Sequence, residues 1–234
     1  MSLPEYQEAR SISIFMSMPT GEINTRHLLK HALSHGKKVF IPYIYRLAEP
    51  KEGLPASIMD MLHLSSVEDM ASLKPDKWGI PSIPKSSVTE RINCLGGTGL
   101  SNGELPKHDD AAGLDLIVMP SMAFDVEMNR LGHGKGYYDN FITRACSESQ
   151  RYSQGKEKPL LGMSYVFAFH KVPQTTIAVV PEILMRVTVG FALAEQLLPS
   201  SYRLPTEAWD WKVDAVVVGS ADSDAEARLV VPKW

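Results

Sequence analysis

Met119-Pro120-Ser121-Met122-Ala123-Phe124-Asp125, then, after a short gap, Asn129-Arg130-Leu131-Gly132-His133-Gly134-Lys135-Gly136-Tyr137-Tyr138-Asp139, is the stretch that decides how this chain is read. The apolar run at 114–119 leading into it has the length and composition of a buried strand. Beyond it, Tyr137, Tyr138, Phe141, Ile142 and Ala145 fall on one face at helical spacing. The order is therefore strand, glycine-rich loop, helix. Gly132, Gly134 and Gly136 remove side chains at alternate positions. Backbone N–H groups can then point together at an anion, in front of the positive end of the helix dipole. Arg130 and Lys135 add cationic donors, and Asp139, in the first helical turn, is placed to hold a magnesium ion against a phosphate. Together these features imply a nucleoside triphosphate site.

The glycines alone do not specify it. Gly136 is followed by tyrosines, so this is not the phosphate loop that ends in Gly-Lys-Ser/Thr, and the glycine spacing is not that of the dinucleotide fingerprint. Taken only as glycines and a lysine, the run is equally an ordinary flexible turn.

At full length the run resembles the signature of the 5-formyltetrahydrofolate cyclo-ligases, also called methenyltetrahydrofolate synthetases. That signature reads Pro-Gly-x-Ala-Phe-Asp, a short turn, then Arg-Leu-Gly-Arg-Gly-Lys-Gly-Tyr-Tyr-Asp. This chain departs from it at Ser121, where glycine is usual, and at His133, where arginine is usual. The resemblance runs from about residue 5 to about residue 219. Near the start, Met16-Ser17, Glu22-Ile23-Asn24-Thr25, Gly36-Lys37 and Ile41-Pro42 match the family's strand, Glu-hydrophobic-x-Thr turn and following strand. Near the end, residues 190–196, Pro205 and Asp210-Trp211-Lys212-Val213-Asp214 match its closing pattern.

The resemblance implies an ATP- and magnesium-dependent conversion of 5-formyltetrahydrofolate to 5,10-methenyltetrahydrofolate. ADP and phosphate are released, through phosphoryl activation of the formyl oxygen. Lys135, Arg130 and Tyr138 would then be catalytic. Arg130, Leu131, Gly132, His133, Gly134, Lys135, Gly136, Tyr137 and Tyr138 would bind ATP. Met16, Glu22, Met61 and Trp78 would contact the folate, together with His133, Gly134, Lys135, Gly136 and Tyr137. Asp139 and Asp210 would be the magnesium ligands. Without the resemblance, Glu22 reads as a solvated loop acid, Met61 as core packing, Trp78 as a core cover and Asp210 as a turn acid.

The rest of the chain fits one domain over residues 1–234, with the length for an ample core. The expected class is α/β, a three-layer α/β/α sandwich with a mainly parallel sheet and ligands at the carboxyl ends of its strands. A strand is expected at 11–17 and a helix capped by Asn24 or Thr25, with Leu28, Leu29, Ala32 and Leu33 as its apolar face. Gly36 is its C-cap, and 37–43 is the next strand. Residues 47–56 read as a loop, 58–63 as a short strand and 65–73 as a turn or two of helix. Residues 91–112, rich in Gly, Asn, Asp and Lys, read as a mobile surface loop. The tail, 221–234, offers an edge strand through Leu229-Val230-Val231.

Formal net charge is −3 and no basic face stands out, so neither nucleic acid nor membrane is expected as a partner. Cys94 and Cys146 lack metal or redox spacing and read as free thiols. Cytoplasmic location follows, or mitochondrial if an N-terminal segment is missing; oligomeric state is not readable. Two departures from the family stand out. An apolar segment at 163–189 interrupts the strand that starts at Pro159-Leu160-Leu161-Gly162, as a genuine insertion or as translated intron. The family's first basic helix also has no counterpart ahead of Met1-Ser2-Leu3-Pro4. The alternative function is a catalytically impaired or non-catalytic folate- or nucleotide-binding homologue. A sugar-phosphate isomerase or acyl-CoA transferase would share only the architecture.

Overall fold

A computed structural model describes residues 4–20, 22–103, 113–152, 187–219 and 228–230. In chain order the elements are α1 (Pro4–Glu8), β1 (Ser11–Ile14), α2 (Arg26–Ser34), β2 (Lys38–Arg46), β3 (Ser57–Leu64) and α3 (Val67–Ser72). The short pair β4 (Lys74–Pro75) and β5 (Pro81–Ser82) follows, then β6 (Leu116–Pro120) and the hairpin β7 (Ala123–Phe124) and β8 (Arg130–Leu131). Helix α4 (Tyr137–Tyr152), β9 (Val187–Leu193), β10 (Ala215–Gly219) and β11 (Arg228–Val230) complete the chain.

Among the described residues seven strands form one sheet, in the order β11-β10-β9-β6-β1-β2-β3. The five strands from β10 to β2 run parallel, and β3 and β11 close the two edges antiparallel. Period-two alternation divides the buried side chains between the two faces. Ile12, Ile14, Val39, Ile41, Leu116 and Val118 pack with Leu28, Leu29 and Ala32 of α2. Phe40, Met59, Met61, Ile117, Met119 and Val216 pack with Phe141, Ile142 and Ala145 of α4. Helices therefore cover opposite faces of a mainly parallel sheet, as expected.

The strand order places the site. From β1 the chain moves to β2 on one side, whereas β6, β9 and β10 build outward on the other. The order reverses between β1 and β6, and the crevice at the carboxyl ends of such a pair is where open α/β sheets take their ligands. The loops leaving those two strands are the ones that carry Glu22 and the glycine run.

Local chemistry explains the element boundaries. Strand β1 stops at Ile14, short of the expected Ser17, because the following main chain turns to Thr25. The Thr25 hydroxyl donates to Phe15 O (2.7 Å), and Ser17 N and Thr25 N each meet the other's hydroxyl oxygen at 3.3 Å. Thr25 is the N-cap residue of α2, but its hydroxyl makes no cap bond to the helix; Asn24 Oδ1 accepts from Arg26 N (2.9 Å) instead. Gly36, at φ +71°, closes α2, with Gly36 N on Leu33 O and Lys37 N on Ala32 O, both 3.1 Å.

Residues 93–95 are not surface loop. Asn93, Cys94 and Leu95 are buried, and Asn93 bridges to Leu62 of the edge strand. Of the expected insertion, 187–189 belong to β9, where Val187 and Val189 continue the register with Leu116 and Val118. The remainder of that segment, the strand start at 159–162, Cys146's side chain and the polar residues at 104–112 lie outside the described residues. The tail strand pairs Leu229 with Val217 and Val230 with Val216. Among the described residues no helix is long and apolar enough to cross a membrane.

At the C-terminal end of α2, the His31 and His35 rings stack 3.9 Å apart, and the Tyr6 hydroxyl lies 2.7 Å from His31 Nδ1. Burial, with the charges of His35 and Lys37, holds His31 below the ordinary histidine range; burial and Arg91 do the same to His63. Lowered folded values mean that the unfolded chain takes up protons first. Stability is therefore expected to fall as pH drops below about 6.5. Urea midpoints measured from neutral to mildly acidic pH check this, and His31→Gln combined with His63→Gln flattens the slope.

Candidate active site

The loop after β6 is fastened before it reaches the glycines. Ser121 Oγ lies 2.6 Å from Leu131 O and 2.9 Å from Ala123 O, and Met122 N donates to Leu131 O (2.8 Å). Gln196, in a 3-10 turn (Ala194–Gln196) after β9, donates from Nε2 to Ser121 O (2.6 Å). The turn between β7 and β8 is built on buried Asp125. Its carboxylate accepts from the main-chain N of Glu127, Asn129 and Leu204 and from Asn129 Nδ2, all at 2.9–3.0 Å. Burial alone would raise this carboxyl, but the hydrogen bonds prevail and hold it below the usual carboxylate range. Asp125 is thus part of the scaffold.

From Leu131 the chain leaves this scaffold and runs through residues 132–136 into α4. Gly134 and Gly136 take φ of +69° and +60°, conformations that side-chain-bearing residues disfavour. The N–H groups of residues 132–136 donate none of the main-chain hydrogen bonds found among the described residues. His133 and Lys135 are exposed on the same loop. A run of uncommitted amides with a cation, ahead of a helix N-terminus, is chemically an anion cradle.

Beneath the loop lies Arg130, its side chain only 8% exposed and ion-paired with Asp139. A Cβ on Gly132 would come 3.8 Å from Arg130 Nη1, so the guanidinium lies directly against the glycine run. Arg130 Nε is buried without a hydrogen-bond partner among the described residues. The guanidinium carbon is 5.8 Å from the centre of the Tyr138 ring. Burial raises the Tyr138 hydroxyl above its ordinary value; Arg130 opposes the shift and Glu22 adds to it. Glu22 therefore lies within electrostatic reach of Tyr138.

The other expected site residues divide. Glu22 Oε2 accepts from Met18 N (2.9 Å), which makes Glu22 the brace of its own loop. Met16 is half-buried and packs against the core on the α2 face, while half-buried Tyr137 packs against the core on the α4 face. Gly79 lies so close to Pro19 that a Cβ there would come within 2.7 Å of the ring, so the Trp78 turn leans on the Glu22 loop. The Trp78 ring is 65% exposed and covers no core. Met61 is the correction: it is fully buried between sheet and α4, with its sulfur 3.1 Å from Ser13 Oγ, and offers no surface to a ligand.

For magnesium, Asp139 Oδ1 is held by Arg130 and by Trp211 N (3.0 Å), while Oδ2 makes no hydrogen bond among the described residues. Asp210 uses Oδ2 to accept from Glu207 N (2.9 Å) in an exposed turn. The Trp211 contact brings the main chain at Asp210 to Asp139. Among the described residues no three His, Cys, Asp or Glu side chains group to hold a metal. Asp139 Oδ2, with no hydrogen bond among the described residues, is a carboxylate oxygen here with a lone pair to spare for a cation.

The model of the 5-formyltetrahydrofolate cyclo-ligase family matches residues 1–177. This chain belongs to that family. The probable 5-formyltetrahydrofolate cyclo-ligase of Schizosaccharomyces pombe is 31% identical over 218 residues, which cover 93% of this chain and 78% of its own. The 5-formyltetrahydrofolate cyclo-ligase of Mus musculus is 30% identical over 213 residues, 91% and 75% of the two chains. The solution structure of Aquifex aeolicus 5,10-methenyltetrahydrofolate synthetase aligns with a TM-score of 0.48 at 23% identity, over 93% of this chain and 72% of that one.

Set against the cyclo-ligase signature, the two departures have different consequences here. Ser121 fits its place, because its hydroxyl reaches two carbonyls of the hairpin. His133 exchanges a permanently charged, five-donor fork for a shorter imidazole that cannot reach a phosphate in the same two-pronged way. Sequence reasoning missed Gln196 and Trp211 as braces of this site. Their place in the family's closing pattern was the available signal, and it carried no hint of what they bond.

Proposed function

We propose that this cyclo-ligase closes 5-formyltetrahydrofolate to 5,10-methenyltetrahydrofolate, with ATP as co-substrate, by phosphorylating the formyl oxygen. A formamide oxygen leaves poorly. Transfer of the γ-phosphoryl group to it forms an O–P bond, breaks the bond to the ADP oxygen and activates the formyl carbon. The N10 lone pair then attacks that carbon, the N10 proton is lost to the departing phosphate, and the C–O bond breaks so that phosphate leaves with the oxygen as the ring closes. The protein's share is alignment and charge stabilisation. The 132–136 amides and Lys135 cradle the phosphates, and Arg130 offsets charge on the transferred group beside Tyr138. Glu22 and Met16 orient the folate, with Trp78 and Tyr137 at its margins. Asp139 and Asp210 would hold magnesium, which supplies charge neutralisation on the polyphosphate. A cytoplasmic setting suits such an activity.

The observation that carries this reading is the run of uncommitted amides at 132–136, opening at the crevice between β1 and β6. Formation of methenyltetrahydrofolate, followed by its absorbance with and without ATP and magnesium, tests it. No product with 5-formyltetrahydrofolate, ATP and magnesium all present overturns it. His133 favours a second reading, a folate- or nucleotide-binding homologue with little turnover, and the same assay paired with nucleotide-binding calorimetry separates the two. His133→Arg is expected to tighten nucleotide binding several-fold at neutral pH, as a charged fork replaces an imidazole. Equal affinities would remove His133 from the phosphate site.

A further inference from the structure

Asp60, on the edge strand β3, is completely buried yet ionically paired with Arg144, whose side chain is 7% exposed, on α4. The carboxylate accepts from Arg144 Nη1 (3.0 Å), the Tyr45 hydroxyl (3.0 Å), Asn93 Nδ2 (3.1 Å), Ser101 N (2.7 Å) and Ser101 Oγ (3.0 Å). Arg144 donates further to Met59 O and, from Nε, to Asn140 Oδ1 (3.0 Å). Asn140, whose side chain Arg144 holds, makes through its main-chain N the first helical bond of α4, to Gly136 O (2.9 Å), the last residue of the glycine run.

Burying two charges removes both from water, and a well-packed apolar pair serves stability as well or better. This arrangement does what an apolar pair would not: it fixes the rotation and the height of α4 against β3. The directional fork of Arg144 admits one placement of the helix, and Asn140 hands that placement to Gly136. The next residue back, Asp139, is the one that holds Arg130 and Trp211 N.

We propose that Asp60 and Arg144 are positioning residues for nucleotide binding, which set the aim of the 132–136 amides through Asn140 and the first turn of α4. This rests on the reading of that loop as the phosphate cradle. It assigns no contact with substrate to either residue.

The test uses the full chain with Asp60→Asn, Asn140→Ala and the double variant. KM for ATP and for 5-formyltetrahydrofolate are measured well below the thermal midpoint, and the amide resonances of 15N-glycine-labelled protein are recorded. In Asp60→Asn, KM for ATP is expected to rise roughly tenfold. KM for the folate should stay within about twofold, and the Gly134 and Gly136 resonances should be displaced. Asn140→Ala should do the same to a smaller degree, and the double variant should add little to Asp60→Asn, as expected of coupled residues. A lower melting temperature with both KM values and the glycine resonances unmoved would overturn the proposal, leaving the pair merely structural. If Asp60→Asn does not fold, Asn140→Ala, which keeps the ion pair, decides by the same readouts. If the wild type makes no product, the cyclo-ligase reading fails, and the glycine resonances still decide whether the pair aims the loop.

Discussion

Arg130→Ala is expected to lower kcat/KM for ATP by roughly a hundred- to a thousandfold, the range for loss of a preorganised charge at a reacting oxyanion. The guanidinium lies against the glycine run, almost out of water, where its charge acts with little screening. Its removal also leaves Asp139 Oδ1 with the Trp211 amide alone, so the carboxylate gains freedom just where magnesium would need it fixed. Arg130→Lys should recover part of the loss, because it restores charge without the fork that reaches Asp139 while lying beneath the loop. Initial rates at varied ATP and saturating folate check both variants. Activity of Arg130→Ala within about threefold of wild type would place the reacting phosphoryl group elsewhere.

What could be read in the chain itself was local. The glycine run, the helix behind it and the strand ahead are contiguous, and their periodicities survive folding unchanged. The parallel order β1-α2-β2 was equally accessible, since one amphipathic helix with a glycine C-cap separates two apolar strands. Features that depend on partners far along the chain were not accessible. Arg144 reads as one more helical cation until the fold brings it to Asp60, 84 residues away. Residues 91–103 look like solvated loop by composition, yet Asn93 and Ser101 are drawn inward by that same carboxylate. Met61 failed as a site residue for a related reason. Strand β3 is an edge strand, and α4 closes over the face that its methionines present. The start of β9 was obscured because an apolar run precedes the strand, and composition does not mark where pairing with β6 begins.

Trp211 shows how the two kinds of information join. It was legible only as part of a closing pattern, between Asp210 and Lys212. In the fold its main-chain N holds Asp139 and its indole Nε1 donates to Thr143 Oγ1 (3.0 Å), one turn further along α4. The segment before β10 is thereby stitched to the same helix that Arg144 bolts to β3 from the other side. The helix carrying the glycine run is held at two points by polar bonds, and the N–H groups of 132–136 donate no main-chain bond among the described residues. Rigid support beneath unpaired donors is the arrangement electrostatic catalysis requires.

Gly190→Val should be strongly destabilising, costing about 3 kcal/mol or more through overpacking at a filled site. Gly190 lies in the middle of β9, between Met119 of β6 and Val216 of β10. A Cβ there would meet Phe124 Cε1 and Cζ at 2.4 Å. Phe124 has no exposed surface through which to retreat, and its main chain carries the β7–β8 hairpin: Phe124 pairs with Arg130, and Leu198 N donates to Phe124 O (2.8 Å). The collision is therefore expected to loosen the scaffold beneath the glycine run as well as the sheet. A fall in the thermal midpoint of roughly 10 °C follows for a chain of this size, with a smaller fall for Gly190→Ala. Phe124→Leu, destabilising by itself, should recover part of the loss when combined with Gly190→Ala, because it vacates the atoms that the new methyl group meets. Circular dichroism melts of the four proteins of this cycle give the coupling directly. Additive losses would mean that Gly190 is required by the strand itself, independently of the ring packed on it.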